Sequence, residues 1–319
     1  MRATMKPAIQ SELGRLRAII MHQPGPELDK MTPDNLSHYV RGPDGRLQEN
    51  PDYLLFDDLV LLSRLRAEHA QILSILTAVC GHTEVHHLRD LLRTTVHVPE
   101  ARAALVDAVC DQERVVWNNE LSVEDRTLLL ETDPLNLVKT LIRGTAPSGR
   151  RVLKWPLPNL MFTRDLAAVV GGGVLLTYAQ KPARAREMLL GRAVFRFHPE
   201  LTDVPLFDVR ERISSPALEG GDVLVLNQHQ VLIGVGERTD EGTARAAAAL
   251  LLEADAARTV YLVAIRAARA TMHLDTVFTM VDHERCLAHT PSITEKDAAT
   301  VISLERTGER VREGSLLEV

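Results

Sequence analysis

The stretches DLAAVVGGGVLLTY (165–178), DVLVLNQHQVLIGV (222–235) and DTVFTMVDHERCLAH (275–289) share one pattern. Each opens on an acid, runs into an apolar strand, turns, and returns as a second strand. The turns fall at Gly171–Gly173, Asn227–Gln230 and Asp282–Arg285, where glycine or polar residues break the apolar run. The acids are spaced by 57 and 53 residues. Helical stretches follow the first two hairpins, at Pro182–Arg192 and Glu241–Glu253, with Thr239 and Asp240 supplying capping oxygens for the second. A strand, Thr259–Ile265, then leads to the next acid. The repeating unit is hairpin, helix, strand. Such repeats cannot bury their faces alone and must stack or close into a ring. In a ring, equivalent ends of the repeats face a common centre, and the row of acids marks that centre. A further acid and hairpin would fall beyond Val319. The segment GSLLEV (314–319) reads instead as the first turn of a helix, so the chain is expected to stop in mid-unit.

Upstream, the pattern changes. LRAIIMH (16–22) is a short buried-strand run closed by Pro24 and Gly25. From Leu59 to Ile142 the apolar period is helical: Leu59, Leu62, Leu65, Ile72, Leu73, Ile75, Leu76 and Val79 precede a stop at Gly81. Further helices are expected over Glu100–Cys110, over Val123–Leu130, and from Pro134 to near Gly144. The expected organisation is residues 1–58 as the first part of an α/β domain, 59–148 as a helical insertion, and 149–319 as the remainder. Of the 319 residues, 45% are apolar and 25% charged, a mixture with enough apolar surface for a real core. No apolar run reaches the length of a membrane span, and Met1–Met21 carries charge where a signal peptide would be apolar. The net charge of −6, with scattered basic residues, argues against nucleic acid or an anionic membrane as partner. Cys80, Cys110 and Cys286 give neither a disulfide framework nor a paired metal motif. A cytoplasmic protein acting on a small molecule is the expectation.

Four motifs carry the candidate chemistry: PNLMFTRD (158–165), EGGD (219–222), GERT (236–239) and MHLD (272–275). Singly, an acid before a strand is a cap or turn residue, and an isolated histidine is structural. Their common position in the repeat changes that reading. Strand alternation is expected to place His273 and Asp275 on one face. Two uses are open. Asp165 and Asp275 match the forked donors of a guanidinium, leaving Glu219 and His273 for proton transfer. Alternatively, Glu219, Asp222, His273 and Asp275 offer ligands to Mn²⁺ or Zn²⁺. The absence of a second histidine or an HExxH run in these motifs weighs against metal, and no cofactor is expected.

SELGRLRAIIMHQPGPEL (11–28), LLFDD (54–58), PLPNLMFTRD (156–165), KPAR (181–184), EGGD, GERT and MHLDTVFTMVD (272–282) together resemble bacterial arginine deiminase, a member of the guanidine-modifying pentein superfamily. The resemblance implies a pseudo-fivefold α/β propeller of ββαβ repeats, its last blade incomplete here, with an inserted helical subdomain. It implies hydrolysis of L-arginine to L-citrulline and ammonia, by attack of a cysteine thiolate on the guanidinium carbon. Asp165 and Asp275 correspond to the pair that grips the guanidinium, and Glu219 and His273 to the acid/base pair. Asn159, Arg184 and Arg238 correspond to positions that hold the amino-acid end, with both arginines on the α-carboxylate. Phe162 corresponds to the aromatic residue beside the substrate.

The same resemblance places the nucleophilic cysteine in a C-terminal glycine-rich loop that also carries an arginine, and neither precedes Val319. An arginine deiminase lacking its final blade, inactive by the thiol route, is therefore expected. A non-catalytic arginine-binding or regulatory protein is the alternative, and an amidinotransferase or other guanidine hydrolase a third. A ring open by one blade leaves unpaired strand edges, so self-association as a homo-oligomer is expected as well.

Overall fold

Each acid of the repeat lies in a single 3-10 turn that feeds directly into a β-hairpin. The turns are Thr163–Leu166, Gly220–Asp222 and Leu274–Thr276. The computed structural model describes residues 5–295, 299–313 and 316. The expected helix opening at 314–319 lies, but for Leu316, outside the described residues. The fold is mixed α/β and divides into two compact units.

The helical unit comprises Leu16–Thr163 and Lys181–Pro199. Its strands are β1 (Ile19–Met21), β2 (Tyr39–Arg41), β3 (Leu47–Glu49) and β4 (Val85–His87). β1 pairs in parallel with β4, and β2 forms a hairpin with β3. Its helices are α1 (Leu62–Cys80), α2 (Leu88–Thr95), α3 (Pro99–Trp117), α4 (Val123–Glu131), α5 (Pro134–Arg143) and α6 (Ala185–Phe197). Local chemistry sets several ends. The Asp133 side chain accepts from Asn136 N at 3.0 Å to start α5, with Pro134 at the first position. Gly144, at φ +75°, ends it, and a Cβ there would meet Trp155 O at 3.0 Å. α3 runs seven residues past the expected Cys110 and stops at Asn118, left-handed at φ 48°. α2 was not foreseen, because its eight residues carry too few apolar positions to show a period. α1 begins three residues after Leu59. Its Ile72, Ile75 and Val79 stay exposed although their spacing suggested a core face. Inside the unit Arg186 of α6 pairs with Glu113 of α3 at 2.7 Å, both fully buried.

The sheet unit comprises Met1–Arg15, Arg164–Gln180 and Glu200–Val319. β5 (Ala167–Val170) and β6 (Gly173–Leu176) are antiparallel, and β7 (Leu206–Phe207) joins β6 in parallel. β8 (Val223–Asn227) and β9 (Gln230–Val235) form the second hairpin. α7 (Glu241–Glu253) follows, and β10 (Thr259–Ala264) returns in parallel to β9. β11 (Phe278–Met280) and β12 (Cys286–Ala288) form the third hairpin, and α8 (Thr290–Ile293) follows it. β13 (Thr300–Glu305) and β14 (Gly308–Glu313) extend the larger sheet, in the order β14-β13-β10-β9-β8. The hairpin–helix–strand grammar is thus complete in β8–β9–α7–β10. Leu224, Leu232, Val263, Leu274, Phe278 and Ile293 make one buried cluster here, each side chain worth about 1.5–3 kcal/mol in burial.

Two local expectations need correction. Asp240 caps α7, accepting from Thr243 N at 2.8 Å, but the Thr239 hydroxyl does not share that work. It donates to Asp222 at 2.6 Å instead. His273 and Asp275 do not alternate along a strand, because Leu274–Thr276 is a 3-10 turn that His273 precedes. His273 is consequently buried while Asp275 stays exposed.

Candidate active site

Within the sheet unit the 3-10 turns at Gly220 and Leu274 carry Glu219 and His273 on their leading residues. Glu219 is wholly buried. Its Oε2 lies 2.9 Å from His273 Nε2 and accepts from Arg238 Nη1 at 3.2 Å. Its Oε1 accepts from Gln180 N at 3.3 Å. On the far edge of the imidazole, Nδ1 lies 3.8 Å from Asp165 Oδ1, which itself accepts from Gly221 N at 3.0 Å. His273 is therefore held between two carboxylates from two other turns of the repeat.

The glycines of EGGD make this approach possible. A Cβ on Gly221 would stand 2.7 Å from His273 Nδ1, and one on Gly220 would stand 2.1 Å from Arg164 O. Only glycine lets the two turns close on each other. Asp222 ties them from below. Its Oδ1 accepts from Leu274 N at 2.8 Å and its Oδ2 from Thr239. The sequence marks Thr239 only as a helix cap and gives the Gly220–Gly221 pair no role of its own. The GERT and EGGD motifs contain them, but nothing local says that a threonine binds an acid 17 residues away.

Burial alone would lower the pKa of His273. The hydrogen bond to Glu219 and the charges of Asp165, Asp222 and Glu219 outweigh it, and the net direction is upward. Burial pushes Asp222 up to about 7, against the opposing effects of His273 and its own hydrogen bonds. Asp275 is also raised, first by desolvation and then by Asp165 and Glu12, although His273 and Arg164 pull the other way. Its side chain is open to solvent. One ligand atom each of Asp165, Glu219 and His273 lies within 4.8 Å of the others, a spacing that a metal ion also accepts. Here, however, the Arg238 guanidinium already lies on the Glu219 oxygen that faces His273. A divalent cation at the same oxygen would meet that positive charge.

The structure brings Asp165, Glu219, Asp222, Arg238 and His273 together, with Asp275 beside them. Asn159, Phe162 and Arg184 belong to the helical unit and cluster there. Arg184 is buried, donates to Glu187 Oε2 at 2.8 Å, and reaches the carbonyls of Asn159 and Phe162. Asn159 Nδ2 donates to Leu54 O at 2.8 Å, and Phe162 is 47% exposed. The cysteines have other settings. Cys80 closes α1 with its thiol 3.8 Å from Leu16 O. Burial raises the Cys110 thiol, more than the nearby Arg126 lowers it. Cys286 opens β12 and packs against the Leu224–Phe278 cluster.

Fold and site together define a mixed α/β protein that gathers carboxylates, an imidazole and a guanidinium into one buried cluster. Residues 52–315 match the family model of arginine deiminase. The arginine deiminase of Mycobacterium marinum is 35% identical over 309 residues, covering 91% of this chain and 71% of that protein. The arginine deiminase of Rhodococcus erythropolis is 35% identical over 321 residues, covering 95% and 74%. Among solved structures, a mutant DDAH from Pseudomonas aeruginosa complexed with citrulline is 22% identical, with a TM-score of 0.33. It covers 41% of this chain and 47% of that one. The chain belongs to the arginine deiminase family, hydrolases that act on guanidino C–N bonds.

Proposed function

We propose that the buried cluster of this chain recognises L-arginine and moves protons during its hydrolysis to L-citrulline and ammonia. The observation that carries this reading is His273 held between Glu219 and Asp165 inside the protein. A guanidinium is a planar cation with forked donors, and carboxylates from separate turns match that shape. Asp165 and Asp275 take the guanidinium. Glu219 and His273 act as the acid/base pair, with the raised imidazole supplying a proton to departing ammonia and recovering it from water. Arg238 keeps one donor on Glu219, and its buried Nε lacks an acceptor among the described residues, which supports a role toward the substrate carboxylate. Arg184, Asn159 and Phe162 are assigned the amino-acid end by their motif positions.

The covalent step of the family needs a thiolate, and we assign none of Cys80, Cys110 or Cys286 to it. The roles given to this chain's residues are recognition and proton transfer. The complete hairpin–helix–strand repeat supports a propeller built of such units, with residues 59–148 inserted between 1–58 and 149–319. All three cysteines are free, which supports a reduced, cytoplasmic setting.

Calorimetric titration with arginine, citrulline and agmatine tests the reading. Arginine should bind best, since citrulline lacks the cationic end and agmatine the carboxylate. Asp165→Asn should weaken arginine more than citrulline. Equal affinity for all three ligands, or no binding of any at about 1 mM, would mean that these acids do not form a guanidinium site.

A further inference from the structure

A cavity of about 310 Å³ lies wholly within the helical unit and holds none of the residues assigned above. Its floor is the loop His22–Glu27 that follows β1. Its walls are Arg66 and His69 on α1, Arg89 on α2, and Lys139 and Arg143 on α5. The helical periods explain this gathering. Arg66 and His69 are one turn apart, as are Lys139 and Arg143, so each pair faces the same way.

The charge of this cavity is unusual for a protein of net charge −6. Four cations, Arg66, Arg89, Lys139 and Arg143, line it, and none forms an ion pair among the described residues. The one acid on its wall, Glu27, is buried against His22 at 3.2 Å. Arg66 is held in place by its Nε, which donates to Pro24 O at 2.9 Å, leaving its terminal nitrogens for other work. His69 is only 6% exposed, and its Nδ1 is buried with no hydrogen-bond partner among the described residues. A buried ring nitrogen without a partner carries a desolvation cost. Four like charges around one concave surface repel one another until an anion arrives.

From this we infer a second ligand site: the cavity between the β1 loop and helices α1, α2 and α5 binds a small polyanion of the phosphate class. Arginine forks and a lysine point charge are the side chains that recognise phosphate oxygens. A monocarboxylate would offset one of the four charges, whereas a diphosphate or phosphate ester offsets several. The volume lies at the lower end of the small-molecule range. Such a ligand stabilises the helical unit by mass action whatever happens at the acid–imidazole cluster.

The test is titration of the full chain with inorganic pyrophosphate at constant ionic strength, with inorganic phosphate and acetate as comparisons. Pyrophosphate should bind saturably with a dissociation constant below about 1 mM, and acetate should not. The double variant Arg89→Gln, Lys139→Gln should lose at least about tenfold in affinity, a change set by the two lost charges. Neither side chain belongs to the buried core, and if the variant nevertheless misfolds, a footprint on the wild-type chain decides. Pyrophosphate should slow phenylglyoxal modification of Arg66, Arg89 and Arg143 but leave Arg64 and Arg114 unchanged. No saturable binding of pyrophosphate, acetate binding equally well, undiminished affinity in a folded double variant, or unprotected arginines would each overturn the assignment.

Discussion

His273 Nε2 and Glu219 Oε2 lie 2.9 Å apart although 54 residues separate them in the chain. Each residue leads a 3-10 turn of its own repeat, and the absence of side chains at Gly220 and Gly221 lets the turns meet. That contact sets the protonation of the imidazole, which holds its proton more tightly than an ordinary histidine. Glu219→Gln removes the charge and keeps the shape. The His273 resonance should then titrate at a lower pH than in the wild type when followed by NMR. In the folded wild type the raised pKa makes a contribution to stability that is complete below the ordinary histidine value of 6.5. It fades as the pH rises through the folded value. Identical titration in both proteins would break the link between Glu219 and His273.

Asp222 should show a different dependence. Its folded pKa is raised from 3.8 to about 7 by burial, so the neutral form suits the fold. The associated stabilisation is complete below the ordinary carboxylate value and is lost as the pH rises through about 7. Asp222→Asn should flatten that decline in urea unfolding followed between acid and neutral pH. Asp222→Ala leaves Leu274 N–H and the Thr239 hydroxyl without their acceptor; it should cost about 2–4 kcal/mol at acid pH, and less as the pH rises through about 7. Equal pH profiles for the wild type and Asp222→Asn would show that Asp222 does not titrate in this range.

Gly220 and Gly172 separate close approach from mere turn geometry. A Cβ on Gly220 would collide with the Arg164 carbonyl, whereas one on Gly172 meets nothing within 4 Å. Gly220→Ala should therefore cost about 3 kcal/mol and weaken arginine binding. Gly172→Ala should stay within about 0.5 kcal/mol of the wild type. Unfolding midpoints and arginine titrations on the same samples check both. A well-tolerated Gly220→Ala would mean that the turns are not held together as described.

The buried pair of the helical unit offers a fourth expectation. Arg186 and Glu113 are both out of water, and Glu113 also accepts from Lys154 N at 2.8 Å. Arg186→Met strands a buried carboxylate and should cost about 3–5 kcal/mol. Arg64→Ala breaks an exposed pair with Glu68 and should cost less than about 0.5 kcal/mol. Comparable losses in the two variants would place Arg186 outside the load of the unit's core.

The sequence by itself determined the repeat, because continuous apolar runs bounded by turn residues need no distant partner to be recognised. The hairpins after Asp165, Asp222 and Asp275, helix α7 and its Asp240 cap all follow from local chemistry. So does the list of candidate acids, which the ordered motifs supplied together with the family. Tertiary structure decided what each of those residues touches. The Asp222 partners, Thr239 and Leu274, come from different turns, and the carboxylate could only be seen as a tie once the turns were packed. His273 is buried and Asp275 exposed because a 3-10 turn replaces the strand that alternation suggested. α2, and the cations that gather with it around His69, were likewise invisible, since short helices and long-range charge clusters leave no period in the chain. Local order is written in nearest neighbours along the sequence, whereas protonation, burial and ion pairing depend on groups that only the folded chain brings within reach.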